Sequence, residues 1–423
     1  MSQRTFRHSL SYVLISLFFI LTPYTWSYLT AYSGFLIRPI DIVALFIIIW
    51  GIFSRGAIIP TRSFFVFAMF GVLLLWLGIN YITQNDIISI VTFSKISFYL
   101  VASTLAARLL AGTNHELPSN IFVFCLISFM FIAIVTNLEI LNAIGNLVVE
   151  STRSPRRALY GFWYDIYSIN LFGPEAFLEI EGNSFRNTAS LGFLLIAMIC
   201  YGLLDSENWK SSILIYIFLG LSIISLSRTA MVFSIVFLLM TALTIRNFKS
   251  IIILLFAVFA GVYFTFNSFF IEALNERIGS GFLRGEIWAL GFEKLLEAPL
   301  WGSGSRGRVL TRSGLQSAHN VVLSLGVEQG LPALISGTFI LLFNLTASFI
   351  FLMAWIRSKV NSVKRKYQIF TIASLIITVR PFLSASSQNF FSLGEWACFT
   401  LMLVGFSYHF INPENQHQPY YID

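Results

Sequence analysis

Residues 64–82 read Phe-Phe-Val-Phe-Ala-Met-Phe-Gly-Val-Leu-Leu-Leu-Trp-Leu-Gly-Ile-Asn-Tyr-Ile, with no charged side chain in the stretch. A helix that crosses a bilayer needs roughly 20 such residues. The next apolar run, 87–107, carries one charge, Lys95. Extending the same reading in both directions predicts twelve spans, near 10–28, 40–53, 64–82, 87–107, 120–136, 188–204, 211–226, 230–245, 250–267, 331–354, 367–384 and 391–411. Composition agrees: 423 residues, mean hydropathy +0.78, 57% hydrophobic and 11% charged. A soluble domain carries about 25% charged residues. Disorder, a disulfide scaffold and an ordinary soluble enzyme are thereby excluded. The expected fold is all-α: a polytopic integral membrane protein of about 12 transmembrane helices.

The first run follows Arg4 and Arg7, as a signal peptide would, but no clear small-residue cleavage site comes after it. It reads as a retained anchor. Orientation follows from Lys and Arg in short loops. With the N-terminus inside, the inner segments hold Arg4, Arg7, Arg55, Arg62, Arg108, Lys210, Arg246, Lys249, Arg357, Lys359, Lys364, Arg365 and Lys366. Short outer turns hold only Arg38, Arg228 and Arg380. Both termini are therefore expected inside. Residues 1–423 read as a single helical membrane domain, with no internal repeat. Two outer segments, 137–187 and 268–318, are too long to be passive connectors. Cys125, Cys200 and Cys398 lie in apolar runs without a CxxC partner or nearby His, so neither a zinc site nor a disulfide framework is expected.

The net charge of +7 does not point to nucleic acid, because the basic residues are distributed by membrane face. The outer set is Arg38, Arg153, Arg156, Arg157, Arg186, Arg228, Arg277, Arg284, Lys294, Arg306, Arg308, Arg312 and Arg380. All but one are arginine, whose planar fork matches phosphate oxygens. That pattern suits an anionic, membrane-borne ligand such as a lipid phosphate or pyrophosphate. Pairing with Asp165, Glu175, Glu179, Glu181, Glu272, Glu276, Glu286, Glu293 or Glu297 is the plainer use of the loop arginines, and the sequence leaves both open. Arg228 stands apart, with no acid within twenty positions on either side. Such a charge at a span's end points to function. Arg38 and Asp41 read as an i, i+3 helical pair.

Of five histidines, His8, His115, His409 and His417 fall on the inner side, and only His319 faces out. Histidine suits acid–base work near neutral pH. An interfacial histidine with its hydrogen bonds satisfied is the alternative.

Four motifs then occur in order: Ser225-Leu-Ser-Arg228-Thr-Ala230; Arg284-Gly-Glu-Ile-Trp288; Ala298-Pro-Leu-Trp-Gly-Ser-Gly304; and Ala318-His319-Asn320-Val-Val-Leu323, leading to Glu328-Gln-Gly-Leu331. This set resembles the O-antigen polymerase and O-antigen ligase superfamily of bacterial envelopes. The motifs cover about 225–335, and the span count is similar over the full chain. The resemblance implies a GT-C-like glycosyltransferase of the inner membrane, using undecaprenyl-pyrophosphate-linked oligosaccharide on the periplasmic face. It implies no metal, no cofactor and no nucleotide sugar. By motif, Arg228 and Arg284 would bind the donor pyrophosphate, and His319 would accept the proton of the attacking hydroxyl or orient it. Fixed arginines suit the charge that develops on the departing lipid.

Further substrate-binding candidates are Arg186, Arg306, Arg308, Arg312, Arg380 and Glu328. Glu328 and Gln329 could equally hold the short helix in place. The segment 268–330 would thus be the periplasmic loop carrying the catalytic motifs, and 137–187 a second periplasmic loop. Gly302, Gly304 and Gly307 read as a turn or as a loop that closes over substrate. Trp163, Tyr164, Tyr167 and Trp288 read as interface-belt residues or as sugar-stacking ones. Polymerase and ligase share these motifs, and the size of 137–187 favours the polymerase. Partners would be the bilayer, the lipid-linked glycan, a chain-length regulator and a flippase. A transporter would show related halves and several mid-span polar residues, and Lys95 is the one clear mid-span charge here. A dolichol-phosphate-type transferase would carry paired carboxylates in its first outer loop, where only Asp41 occurs.

Single cysteines at Ser154 and Ser313, in a Cys-free background, are expected to react with an impermeant thiol reagent in spheroplasts. Labelling only after the inner membrane is broken would overturn the topology.

Overall fold

A computed structural model describes residues 3–24, 30–32, 35–54, 64–84, 87–113, 115–136, 145–146, 149, 182–204, 209–224, 228–245, 285–304, 309–311, 314–316, 320–382 and 393–411. In chain order the helices are α1 (Gln3–Ile20), α2 (Pro39–Phe53), α3 (Phe64–Gln84), α4 (Ile87–Ala111), α5 (Ser119–Thr136), α6 (Gly182–Gly202), α7 (Trp209–Ile224) and α8 (Arg228–Ile245). They continue with α9 (285–297), α10 (Val321–Gln329), α11 (Leu331–Arg357), α12 (Asn361–Val379) and α13 (Leu393–Ile411). Eleven of the expected spans fall on these helices. The twelfth, 250–267, and most of 137–187 lie outside the described residues.

Phe67–Gln84, Ser89–Ala111 and Leu331–Arg357 are long and apolar enough to cross a membrane. Shorter apolar helices pack around them. Helices satisfy their backbone groups internally, which a hydrocarbon environment demands. The all-α architecture holds, with two small antiparallel hairpins beside the helices, β1 (Thr30–Tyr32) with β2 (Phe35–Ile37), and β3 (Val309–Thr311) with β4 (Gly314–Gln316). Strands of three residues are too short to leave an alternating pattern in the sequence.

The bundle is built around α12, where every residue from Lys366 to Ser374 is buried. It packs against α11, α13, α8 and α6. Its polar side chains turn inward and are satisfied there. Gln368 Nε2 donates to the Phe237 carbonyl (3.0 Å) and Thr241 Oγ1 (2.7 Å) of α8, and its Oε1 accepts from Thr244 Oγ1 (3.2 Å). Trp355 of α11 donates to that Thr244 hydroxyl at 3.0 Å. The outward faces of α3, α5 and α11 are apolar instead, with Leu75, Phe124, Phe131 and Phe349 each exposed by more than 60%. A soluble protein would reverse this arrangement.

The helices do not end at one level. Tyr99, in the middle of α4, donates its hydroxyl to Asp41 in the first turn of α2. It also stacks on Trp396, in the first turn of α13 (6.1 Å between centroids). Arg380, just after α12, pairs with Glu395 beside Trp396, Nε to Oε1 3.6 Å. The starts of α2 and α13 and the end of α12 therefore share one layer with Tyr99. The 19 residues of α12 and of α13 give each a length of about 28 Å, close to the ~30 Å of a hydrocarbon core. Twelve residues of α4 precede Tyr99, so that helix runs on about 18 Å past the layer.

At the opposite end lie Arg108, Arg357, Lys359, Lys364, Arg365 and Lys366. Lys366 pairs with Glu116 at 3.0 Å and lies 5.1 Å from the Tyr408 ring centroid. His115, in the α4–α5 connection, has φ 59 and is buried with Nε2 3.2 Å from Ser407 Oγ.

Burial, and then the Lys366 ammonium, push the His115 imidazole down to about 4, against a smaller opposing pull from Glu116. The folded protein thus holds His115 neutral where an unfolded chain, at about 6.5, takes a proton. The sign follows: the unfolded state binds more protons between about pH 4 and 6.5, so this contribution is full above 6.5 and is lost as pH falls. The apparent melting temperature in detergent is expected to drop over that window, and His115→Asn, which tolerates the positive φ, to flatten it. A wild-type and a variant curve that stay parallel from pH 7 to 4.5 would refute this.

Candidate functional site

The site is built at the Tyr99 end of the bundle, where α3 and α4 run past the layer and α11 begins. The α10–α11 junction is Glu328-Gln329-Gly330-Leu331. Gln329 Oε1 accepts from Asn80 Nδ2 of α3 (2.9 Å) and from Ser89 Oγ of α4 (2.7 Å). The Gln329 carbonyl accepts from Trp76 Nε1 at 2.7 Å. Asn80 Nδ2 also donates to the Trp301 carbonyl at 2.9 Å, and the Trp301 and Trp76 rings stack at 5.2 Å. Two acceptors facing Nδ2 fix which way the Asn80 amide points.

The turn 298–304 is pressed into this junction. Leu331 N donates to the Pro299 carbonyl and Ser303 N to the Val327 carbonyl, both at 2.7 Å. Gly302 (φ 76) and Gly330 (φ 85) lie in the region that favours glycine. A Cβ at Gly330 would come 2.0 Å from the Leu300 oxygen, and one at Gly302 2.5 Å from the Glu328 oxygen. The turn reading of Gly302 and Gly304 is thus supported. Gly307 lies outside the described residues. Beneath the turn, Leu295 of α9 packs with Leu323 and Val327 of α10, and with Leu334 of α11.

Asn320 caps α10, its Oδ1 accepting from Val322 N (3.0 Å) and Leu323 N (3.2 Å). His319 is the residue before this cap. It lies outside the described residues, as do Arg284, Arg306, Arg308 and Arg312. Arg284 directly precedes α9, and Arg228 is the first residue of α8. The far end of α8, at Thr244, bonds to Gln368 and Trp355 toward the opposite end of the bundle. The start of α8 therefore lies at the Tyr99 end. Arg186 falls in the first turns of α6, at the same end, since Gly192 and Leu191 of α6 meet Pro23 and Gly394.

Two candidates are described with their side chains. Glu328 is buried in α10. Arg380 is also buried, in the ion pair with Glu395. That partner escaped the sequence census because Glu395 sits in an apolar run. The Arg38–Asp41 pair is corrected. Asp41 Oδ2 accepts from the Arg38 backbone N–H at 2.7 Å, a helix cap rather than a side-chain ion pair. Among the described residues, no group of three His, Cys, Asp or Glu is placed to hold a metal ion. Trp288 is 37% exposed on α9, while Trp163, Tyr164 and Tyr167 lie outside the described residues.

Residues 213–337 match the model of the O-antigen ligase family. The match supports the O-antigen ligase and polymerase superfamily, whose chemistry is that of a glycosyltransferase acting on lipid-linked glycans in a membrane. No curated protein matched the chain significantly. The segment matched to the O-antigen ligase family runs from α7 into α11. It takes in Arg228, Arg284, Arg306, Arg308, Arg312, His319 and Glu328, while Arg186 and Arg380 lie outside it. Trp76, Asn80 and Ser89, which fasten the matched segment to α3 and α4, also lie outside it. The reading of the sequence passed over all three. Only Asn80, a polar residue inside the apolar run 64–82, carried a signal that could have found it.

Gly330→Ala is expected to lower the apparent melting temperature by several degrees. The strained backbone alone costs about 1–3 kcal/mol, and the close approach to Leu300 adds to it. Ala at Gly220, where an added Cβ meets nothing within 4 Å, is the control. Equal melting of the two variants would show that the junction is not packed as described.

Proposed function

We propose that the protein is an O-antigen polymerase, or the polymerase of a related surface polysaccharide. It transfers a growing undecaprenyl-pyrophosphate-linked glycan onto the next lipid-linked repeat unit at the periplasmic face of the bacterial inner membrane. The observation that carries this reading is the family match over 213–337, which contains both motif arginines and His319. The basic end of the bundle supports the orientation, since Lys and Arg favour the cytoplasmic side. In this orientation both termini face the cytoplasm and the α10 end faces the periplasm.

In this reading the acceptor hydroxyl oxygen attacks the anomeric carbon of the donor glycan. The bond from that carbon to the pyrophosphate oxygen breaks, and undecaprenyl pyrophosphate leaves. The hydroxyl proton passes to His319. Arg228 and Arg284 hold the pyrophosphate and stabilise the charge that grows on it, without a metal. Arg186, Arg306, Arg308 and Arg312 line the approach, while Arg380 and Glu328, both buried, support it from behind. A chain-length regulator and a flippase are the protein partners this role requires.

The length of 137–187 favours the polymerase, as a site for the second lipid-linked substrate. Transfer of the finished glycan to lipid A–core is the second reading, favoured by the matched family's description as O-antigen ligase. Gel analysis of lipopolysaccharide from a null strain separates the two. Loss of a polymerase leaves one repeat on the core, and loss of a ligase leaves none.

Arg228→Ala and Arg284→Ala are each expected to abolish glycan ladders at normal membrane levels, and Arg→Lys to fail as well, since a point charge does not replace a bidentate fork. His319→Ala is expected to cut turnover with purified lipid-linked repeat unit by roughly 10²–10⁴-fold. The wild-type rate should fall below pH 6.5, the ordinary imidazole value. A His319→Ala variant that keeps more than about a tenth of the rate, outside the range for a positioned acid–base group, would demote His319 to positioning. Asp165 and Glu286 would be the next bases to test.

A further inference from the structure

Three rows of side chains run along α9 (285–297). Ile287, Gly291 and Leu295 are buried, and Leu295 packs with α10 and with Leu334 of α11. Glu286, Glu293 and Glu297 form an exposed acidic row, where Lys294 pairs with Glu297 at 4.0 Å. The third row is apolar and exposed: Trp288, Phe292 and Leu296, followed by Leu300 in the turn after the helix. Residues four apart lie one above another on a helix, so the stripe is continuous, roughly a third of a turn round from the acids. Phe292 is 53% and Leu296 74% exposed. Large apolar side chains lined up at that exposure mark an interaction surface.

The level of the stripe in the bundle says what covers it. α11 runs 27 residues from Leu331 to Arg357 at the basic end, about 40 Å. A bilayer with its headgroup regions measures about 40–45 Å, so Leu331 lies at the far headgroup boundary. Its backbone N–H donates to the Pro299 carbonyl, and Leu295 meets Leu334, one turn further into the hydrocarbon. The last turn of α9 is thus held where acyl chains give way to headgroups. The stripe also continues the lipid-facing surface of the bundle. Leu331, Ile335 and Phe339 are exposed on α11, as are Leu75, Ile79 and Ile82 on α3. The turn that carries Leu300 is bound to both helices, through Leu331 and through the Trp76–Trp301 stack.

We propose that Trp288, Phe292, Leu296 and Leu300 form a membrane-docking surface, and that its occupant is the headgroup–acyl boundary of the bilayer. Trp288 suits the headgroup level, where indole rings gather, and Phe292, Leu296 and Leu300 reach the acyl chains. The acidic row, turned away from the stripe, stays in water. Lys294 is the one basic residue of α9, so attachment is by apolar area rather than by charge. α9 directly follows Arg284 in the sequence, and docking the helix fixes one end of that motif relative to the bilayer. The surface requires that the bundle span a membrane and does not depend on the reaction proposed above. Its test uses no turnover, so failure of the polymerase reading and failure of this surface are told apart.

The experiment is spin-label accessibility on the full-length protein in phosphatidylcholine liposomes, with single nitroxide-labelled cysteines in a Cys-free background. Phe292→Cys and Leu296→Cys report the stripe, and Glu293→Cys and Glu297→Cys the acidic row. All four side chains are exposed, so the label displaces no packing. Molecular oxygen concentrates in the bilayer and a nickel chelate in water. The logarithm of the ratio of their collision rates is expected to be positive at 292 and 296 and negative at 293 and 297. Adding phosphatidylglycerol should leave those signs unchanged. Low collision with both probes at 292 and 296 would mean that protein covers the stripe, and a negative ratio there that water does; either overturns the proposal. So does one sign at all four positions, or a positive ratio at 292 and 296 that needs phosphatidylglycerol. In the wild-type protein, a phosphatidylcholine with a diazirine near the start of its acyl chain should label the peptide 288–300, a readout that no folding defect of a variant can affect. No label in that peptide, with label present on α3 and α11, would equally sink the proposal.

Discussion

The carboxamide of Gln329 is the point on which the described site hangs. Its oxygen takes a hydrogen bond from α3 and another from α4, and its backbone carbonyl takes a third from Trp76. The residue is 1% exposed, so none of these groups can turn to water instead. Leaving a buried donor unmatched costs about 1–3 kcal/mol, and removal of this one side chain would take an acceptor from two donors. Asn80 ties the Trp301 carbonyl into the same knot. Through Gln329 the end of α10, the start of α11 and the turn 298–304 therefore share one fixed frame with α3 and α4.

That frame has a consequence for the opposite end of α10. The helix is nine residues long and buried along its whole length, so it moves as a rigid rod or not at all. Its C-terminus is held by Gln329, and its N-terminus is capped by Asn320, the residue after His319. The start of α10 is thus set by contacts about 13 Å away. Arg228 and Arg284 stand at the starts of two other helices, α8 and α9. Arg228 is the first residue of a packed rod, and in the sequence Arg284 immediately precedes α9. Site residues on rigid elements hold geometry better than residues on mobile ones.

How far the site could be read in the sequence follows from the range of each signal. Apolar runs are local, so α3, α4 and α11 were legible along almost their full lengths. The motif residues were legible because Arg228, Arg284 and His319 fall in short ordered signatures. The family match over 213–337 agrees with that reading, and the chemical roles assigned to them stay proposals. The Gln329 knot was not legible, because Asn80 and Gln329 are separated by 249 positions and nothing local marks one as the partner of the other. The same holds for Arg380 and Glu395: the acid sits among apolar residues and reads as part of a span until the ion pair is seen. The unequal helix ends were also hidden. Hydropathy does not register where α4 leaves the layer, since residues 87–98 are as apolar as many membrane segments.

This unequal ending gives the molecule its functional asymmetry. If all helices ended together, the boundary would be a flat polar surface, and a lipid-linked substrate would meet it only at its headgroup. Here α2, α12 and α13 stop at the Tyr99 layer while α4 continues for twelve residues beyond it and α3, which meets Trp396 through Phe70, for fourteen. α10 packs beside Arg380–Phe382 at the layer itself. At this layer Arg380 is paired with Glu395, and Asp41 is held between the Arg38 backbone N–H and the Tyr99 hydroxyl. These contacts fix where three helices stop, so the step between them and the α3–α4 pair belongs to the packed frame and not to a loop.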